Sequence, residues 1–132
     1  MRNVRRLILG LGLAALGLVV VRGTATPQDP VKISPKMYNV LLENDQVRVL
    51  EFRAAPGEKE AMHSHPGMVV YFLAGTKMRF TTPDGKSEER ESKADTAIWG
   101  EPITHSDENL GPGEARVLLI ELKGKTVVKQ YQ

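Results

Sequence analysis

The chain has 132 residues, with 18 Lys and Arg against 16 Asp and Glu and a net charge of +2. That length holds one domain rather than two. There is no cysteine, which excludes disulfides, thiolate chemistry, iron–sulfur clusters and lipoprotein acylation, and leaves histidine, carboxylate and methionine to hold any metal.

Arg2, Arg5 and Arg6 form a positive n-region, and Leu7 to Val21 is an uncharged run of 15 residues rich in Leu, Gly, Ala and Val. Gly23 and Ala25 follow two apart, the small-residue pattern of a signal-peptidase site. The run sits at the upper end for a signal h-region and falls short of the roughly 20 residues that span a bilayer. Residues 1–25 are therefore read as a helical signal peptide, with an uncleaved membrane anchor as the alternative. Either way the domain is exported, periplasmic or secreted. A buried core helix is the poorer reading, because the run has three glycines and no polar face.

The basic balance belongs to that leader. Arg2, Arg5, Arg6 and Arg22 precede residue 26 and no acid does, so the remainder carries 14 bases against 16 acids, a net of −2. No stripe of Lys and Arg is interleaved with aromatics, so nucleic acid is not an expected partner. Membrane contact is expected only through an uncleaved leader.

Residues 26–36, with Pro27, Pro30 and Pro35, read as a tether to the domain. From Tyr38 onward short apolar runs are cut by turns. Val47 to Arg53 ends at the turn Ala55-Pro56-Gly57, and Met68 to Leu73 closes on Ala74-Gly75. Lys77 to Thr82 and Ser87 to Ser92 flank Pro83-Asp84-Gly85-Lys86, a hairpin turn. Thr96 to Trp99, Ile103 to Ser106 and Arg116 to Leu122 complete the set. Turns recur about every ten residues and no segment after the leader keeps a 3.6-residue period, which predicts an all-β sandwich or barrel of antiparallel strands over residues 37–124. Residues 125–132 are a polar tail or a last edge strand.

The chain has three histidines: His63, His65 and His105. In a strand, residues i and i+2 project from one face about 6.7 Å apart, so His63 and His65 can lean onto one ion at about 2.0–2.1 Å. A third ligand from a neighbouring strand completes a facial set with open positions. A lone His-x-His pair is more often a half-exposed surface feature, so the setting of all three matters.

That setting resembles the cupin superfamily. The first cupin motif runs Gly, five residues, His-x-His, a few residues, Glu, six residues, Gly. This chain has Gly57, five residues, His63-Ser64-His65, then Met68, six residues and Gly75. The second motif is matched by Gly100-Glu101-Pro102, two residues, His105, three residues and Asn109, with Asp95 at its acidic opening. The motifs span residues 57–111, and every histidine falls on a ligand position. Two departures stand out: Met68 replaces the glutamate that often serves as fourth ligand, and Pro and Gly are transposed around Glu101.

The resemblance implies a jelly-roll barrel with one divalent metal ion on His63, His65 and His105, as in some cupin dioxygenases of the cysteine- and diketone-cleaving kinds. Fe(II) is the expected ion, with Zn, Ni, Cu and Mn as alternatives. Without a carboxylate ligand the ion keeps its full +2, which favours an anionic or chelating substrate. Met68, and behind it Met62, could add a thioether, but a methionine on an apolar strand ordinarily packs.

If Met68 points inward, Val70 and Phe72 share its face and line a cavity, while Val69 and Tyr71 point away. Met68, Phe72, Arg79 and Trp99 are the substrate-contact candidates. Arg79 either meets an anion or is an ordinary exposed strand cation, and Trp99 either stacks on a ligand or belongs to the core. Glu51 and Glu121 each lie within apolar runs, where an outward position is the simpler reading and a hydrogen bond to a ligand imidazole the alternative. Gly57, Gly75 and Asn109 are assigned to turns. No general base is identified. The expected function is an exported cupin acting on a small polar organic molecule, foremost an Fe(II) oxygenase; the alternative is a periplasmic cupin that captures a small ligand or metal without turnover. A homodimer is the expected assembly.

Overall fold

The computed structural model describes residues 28–124. The leader over 1–25, with its expected helix, the first residues of the tether and the tail over 125–132 lie outside the described residues.

Among the described residues nine strands alternate direction: β1 (Tyr38–Glu43), β2 (Val47–Ala54), β3 (Lys59–His65), β4 (Met68–Phe72), β5 (Thr76–Thr81), β6 (Ser87–Ser92), β7 (Thr96–Gly100), β8 (Ile103–Asn109) and β9 (Ala115–Leu122). Every pairing is antiparallel, in a five-stranded sheet ordered β1-β2-β9-β4-β7 and a four-stranded sheet ordered β3-β8-β5-β6. The all-β expectation holds. The period-2 alternation is plainest in β9, where Ala115, Val117, Leu119 and Glu121 are buried and the residues between them are not. Leu50, Phe52, Met68, Val70, Phe72, Met78, Val117 and Leu119 meet between the sheets as the core.

Residues 28–36, the end of the expected tether, are fastened to the barrel. Asp29 caps a one-turn helix, α1 (Pro30–Ile33), by accepting from the Val31 amide at 3.0 Å, and Pro30 is buried. Just before it, the Gln28 carbonyl accepts a hydrogen bond from the Ser64 amide at 2.8 Å.

A β-bulge in β3 shapes the site. Pairing with β8 shifts register between Glu60 and His63. Three residues apart, these two would face opposite sides of a regular strand; the extra residue turns both inward.

The turn residues of the sequence analysis behave unequally. Gly57 has φ +77°, a conformation that side chains resist, and its amide donates to the Asn109 carbonyl at 2.8 Å. Gly75 has no such constraint, since a methyl there would lie 3.6 Å from the Ser92 carbonyl, an ordinary contact. Asn109 is buried; its amide donates to the carbonyls of Ala54 (3.0 Å) and Gly113 (2.9 Å), and its Oδ1 accepts from the Gly111 amide (2.9 Å). Asn109→Ala strands those backbone groups, and we expect a stability loss of about 2–3 kcal/mol in urea unfolding at unchanged m-value. A loss below about 0.5 kcal/mol would show that the three bonds contribute little.

Candidate metal centre

His63 and His105 are directly opposed across β3 and β8, and His65 follows on the same face of β3. All three are buried on the inner side of the four-stranded sheet, with ring centroids 4.6 Å (His63–His105), 4.8 Å (His63–His65) and 5.5 Å (His65–His105) apart. One nitrogen from each lies within 4.8 Å of the others, as donors around a single ion require.

The hydrogen bonds say which nitrogens are free. His63 Nδ1 donates to the Ala61 carbonyl at 2.8 Å, leaving Nε2 buried without a partner. His65 Nδ1 donates to Glu121 Oε1 at 2.7 Å, leaving its Nε2 as the lone-pair nitrogen. Neither nitrogen of His105 has a partner among the described residues. Buried polar atoms left unpaired are costly, and an ion at this point removes the cost. The donor set therefore fits a divalent metal.

Burial pushes the His63 imidazole down to about 4. Burial, then the neighbouring imidazoles and Arg90, pushes His105 down to about 3. Both are thus neutral and ready to ligate well below neutral pH.

Behind His65 runs a chain of charged groups. Glu121 Oε2 accepts from Arg48 Nε at 2.7 Å, and Arg48 Nη1 donates to both oxygens of Asp29 at 3.1 Å. Burial alone would raise the Glu121 carboxyl, but the hydrogen bonds from His65 and Arg48 outweigh it and hold the group below the usual range. Glu121 thus faces inward, against the simpler reading of the sequence; Glu51 does face outward, paired with Arg53 and Arg116. Glu121 is also the cross-strand neighbour of Met68. A carboxylate therefore stands beside the position where the motif lacks its glutamate, but both its oxygens are engaged, so it orients an imidazole rather than facing the point where the three histidines converge.

Two carboxylates escaped the sequence analysis. Glu60 and Asp107 are the cross-strand pair one rung beyond His63 and His105, and both are buried. The Tyr38 hydroxyl donates to Glu60 Oε2 at 2.9 Å, while Glu60 Oε1 lies 3.4 Å from His63 Nδ1 without a hydrogen bond. Burial, together with the Asp107 charge, pushes Glu60 up to about 8, and burial pushes Asp107 up to about 7. Both therefore hold protons near neutral pH, and an ion on the histidines would have to release those protons before the two carboxylates could offset its charge. Asp107 was legible as the second residue after His105 on one strand face; Glu60 was hidden by the bulge.

A cavity of about 690 Å³ opens on His65, His105 and Asp107. Met68, Val70 and Phe72 line it, whereas Val69 is exposed and Tyr71 reaches out to Asp95. Trp99 stands at the mouth, 49% exposed, its ring over Gly67 and its Nε1 donating to Glu101 at 2.7 Å; it is no core residue. Arg79 does not reach the cavity. Met78 and Phe80 take the inward positions of β5, so Arg79 points out, paired with Glu89 (2.9 Å) and Glu108 (3.0 Å). The arginine on the cavity wall is Arg90, its guanidinium 5.9 Å over the Phe80 ring, which in turn stacks on His105 at 5.3 Å.

No family model matches the chain, and no curated protein does. Solved structures do. A cupin domain from Bordetella pertussis Tohama I matches at 24% identity over 77% of this chain and 100% of that one, with a TM-score of 0.62. A conserved protein with a double-stranded β-helix domain from Klebsiella pneumoniae subsp. pneumoniae MGH 78578 matches at 23% identity over 67% of this chain and 76% of that one, TM-score 0.54. A cupin superfamily protein from Desulfitobacterium hafniense DCB-2 matches at 17% identity over 66% and 76%, TM-score 0.51. The likeness to these structures in topology gives this chain the cupin jelly-roll fold, two antiparallel sheets with its own three histidines facing inward.

Proposed function

We propose that the protein is an exported, metal-dependent cupin that holds one divalent ion on His63, His65 and His105 and acts on an organic molecule in the adjoining cavity, with an Fe(II) oxygenase as the leading class. The observation that carries this reading is the convergence of three buried imidazoles, with His63 Nε2 and both nitrogens of His105 lacking a partner among the described residues. Bound there, an ion would supply open positions for oxygen and a substrate donor atom. Export rests on the Arg2, Arg5 and Arg6 n-region and the apolar run after it.

The substrate reading shifts from the small polar molecule anticipated. Phe72, Val70 and Met68 on the walls suit an apolar body, and the histidines suit a chelating oxygen at its inner end. The test is oxygen uptake by protein loaded anaerobically with Fe(II) and offered enol, diketone and catechol compounds. Uptake should exceed that of His105→Ala by at least tenfold. Flat traces from protein that holds iron and binds such a ligand would assign the alternative, capture without turnover.

A further inference from the structure

Loading the three-histidine point serves one nitrogen each of His63, His65 and His105 but leaves two buried carboxyl oxygens next to it unserved. Among the described residues Glu60 Oε1 and Asp107 Oδ1 have no hydrogen-bond partner, and both residues are more than nine-tenths buried. They belong to one rung of β3 and β8, and an oxygen of each lies within 4.8 Å of the other and of a His63 nitrogen. Two oxygens at that spacing can share one cation at about 2.0–2.6 Å. Tyr38 holds the Glu60 carboxyl by its other oxygen, so Oε1 stays available.

We propose that Glu60 and Asp107 form a second cation site beside the three-histidine site, taking a hard divalent ion of the manganese or magnesium kind. Donor chemistry separates the two: imidazole nitrogens on one side, carboxylate oxygens on the other. His63 stays with the first ion, because its Nδ1 is committed to the Ala61 carbonyl and only Nε2 has a free lone pair. Two protein oxygens leave the other positions of an octahedral ion to water, which enters through the cavity that Asp107 lines. Charge sets the order of filling. One ion on the histidines offsets the two carboxylates, and a second leaves the centre net positive, so it binds later and more weakly.

The first step rests on the three-histidine reading, so the experiment separates the two. Metal-free protein is given one equivalent of Zn(II), then titrated with Mn(II) and followed by electron paramagnetic resonance and elemental analysis. The wild type should retain one zinc and take up one manganese. Glu60→Gln/Asp107→Asn should keep the zinc and lose the manganese, with at least a tenfold rise in its Kd; both replacements keep side-chain shape, and Asp107→Asn alone substitutes if the double variant fails to melt cooperatively. Zinc retained with no manganese bound overturns the second site and leaves the histidine site standing. Manganese uptake unchanged in the variants places that ion elsewhere and also overturns it. Zinc that does not bind, or binds equally to His105→Ala, overturns both.

Discussion

Metal-free protein given a divalent ion at about a hundred times its Kd should gain about 2.7 kcal/mol and melt roughly 10 °C higher, with chelation reversing the gain. The reason lies in the apo site, where His63 Nε2 and both nitrogens of His105 are buried without partners. The unfolded chain has no such arrangement, so binding energy becomes folding energy. His105→Ala should erase the shift.

The effect should also depend on pH. In the folded apo protein His63 and His105 titrate near 4 and 3, below the usual value of 6.5, so the unfolded chain takes up their protons first. Their contribution is fully present above about pH 6.5 and is lost as pH falls toward 3–4. Glu60 and Asp107 titrate near 8 and 7, above their usual values, so their contribution is present at low pH and is lost as pH rises from about 4 to 8. An ion beside them favours the carboxylates and releases their protons. The metal-induced shift should therefore grow between pH 5 and 8, which scanning fluorimetry at three pH values with and without ion measures. A melting temperature indifferent to metal throughout that range would remove the site.

The second large effect concerns Glu121. Glu121→Gln preserves shape but removes the charge that holds His65 Nδ1–H and Arg48 Nε. Metal affinity should fall 10- to 100-fold, the range seen when a carboxylate behind a ligand imidazole is removed. Apo stability should fall by about 2–3 kcal/mol, less than for a buried charge left wholly unpaired because Arg48 keeps Asp29. Asp29→Asn is the control: its ion pair is partly exposed, so it should cost about 1 kcal/mol or less and leave metal affinity unchanged. Equal affinity losses in both variants, read by competition with a chromophoric chelator, would show that Glu121 acts only through the fold.

What could be read from the residues follows from strand parity. His63 and His65 lie two apart in an alternating segment, and the turn spacing announced antiparallel strands, so the three-histidine cluster was legible before any coordinates. Parity also offered Asp107, two residues after His105, and Arg79, which alternates with Met78 and Phe80 and so had to face out. Glu121 resisted because β9 carries large aliphatic residues on both faces, Val117 and Leu119 on one and Leu118, Ile120 and Leu122 on the other, and nothing in Arg116 to Leu122 says which is inward. Glu60 resisted for a different reason: one extra residue in β3 reverses parity, and a bulge has no reliable signature in a single sequence. Trp99 left two readings open, ligand contact or core, and its place on an edge strand, packed over Gly67 at the cavity mouth, excludes only the core.

The backbone contact between Gln28 and Ser64 has a mechanical meaning. Ser64 sits between the two histidines of β3, and Asp29, one residue along from Gln28, grips the far end of the Arg48–Glu121–His65 chain. A pull applied to the chain at residue 28 would be borne first by the strand that carries His63 and His65, so peeling that corner away would disturb the histidine cluster before the rest of the barrel gives.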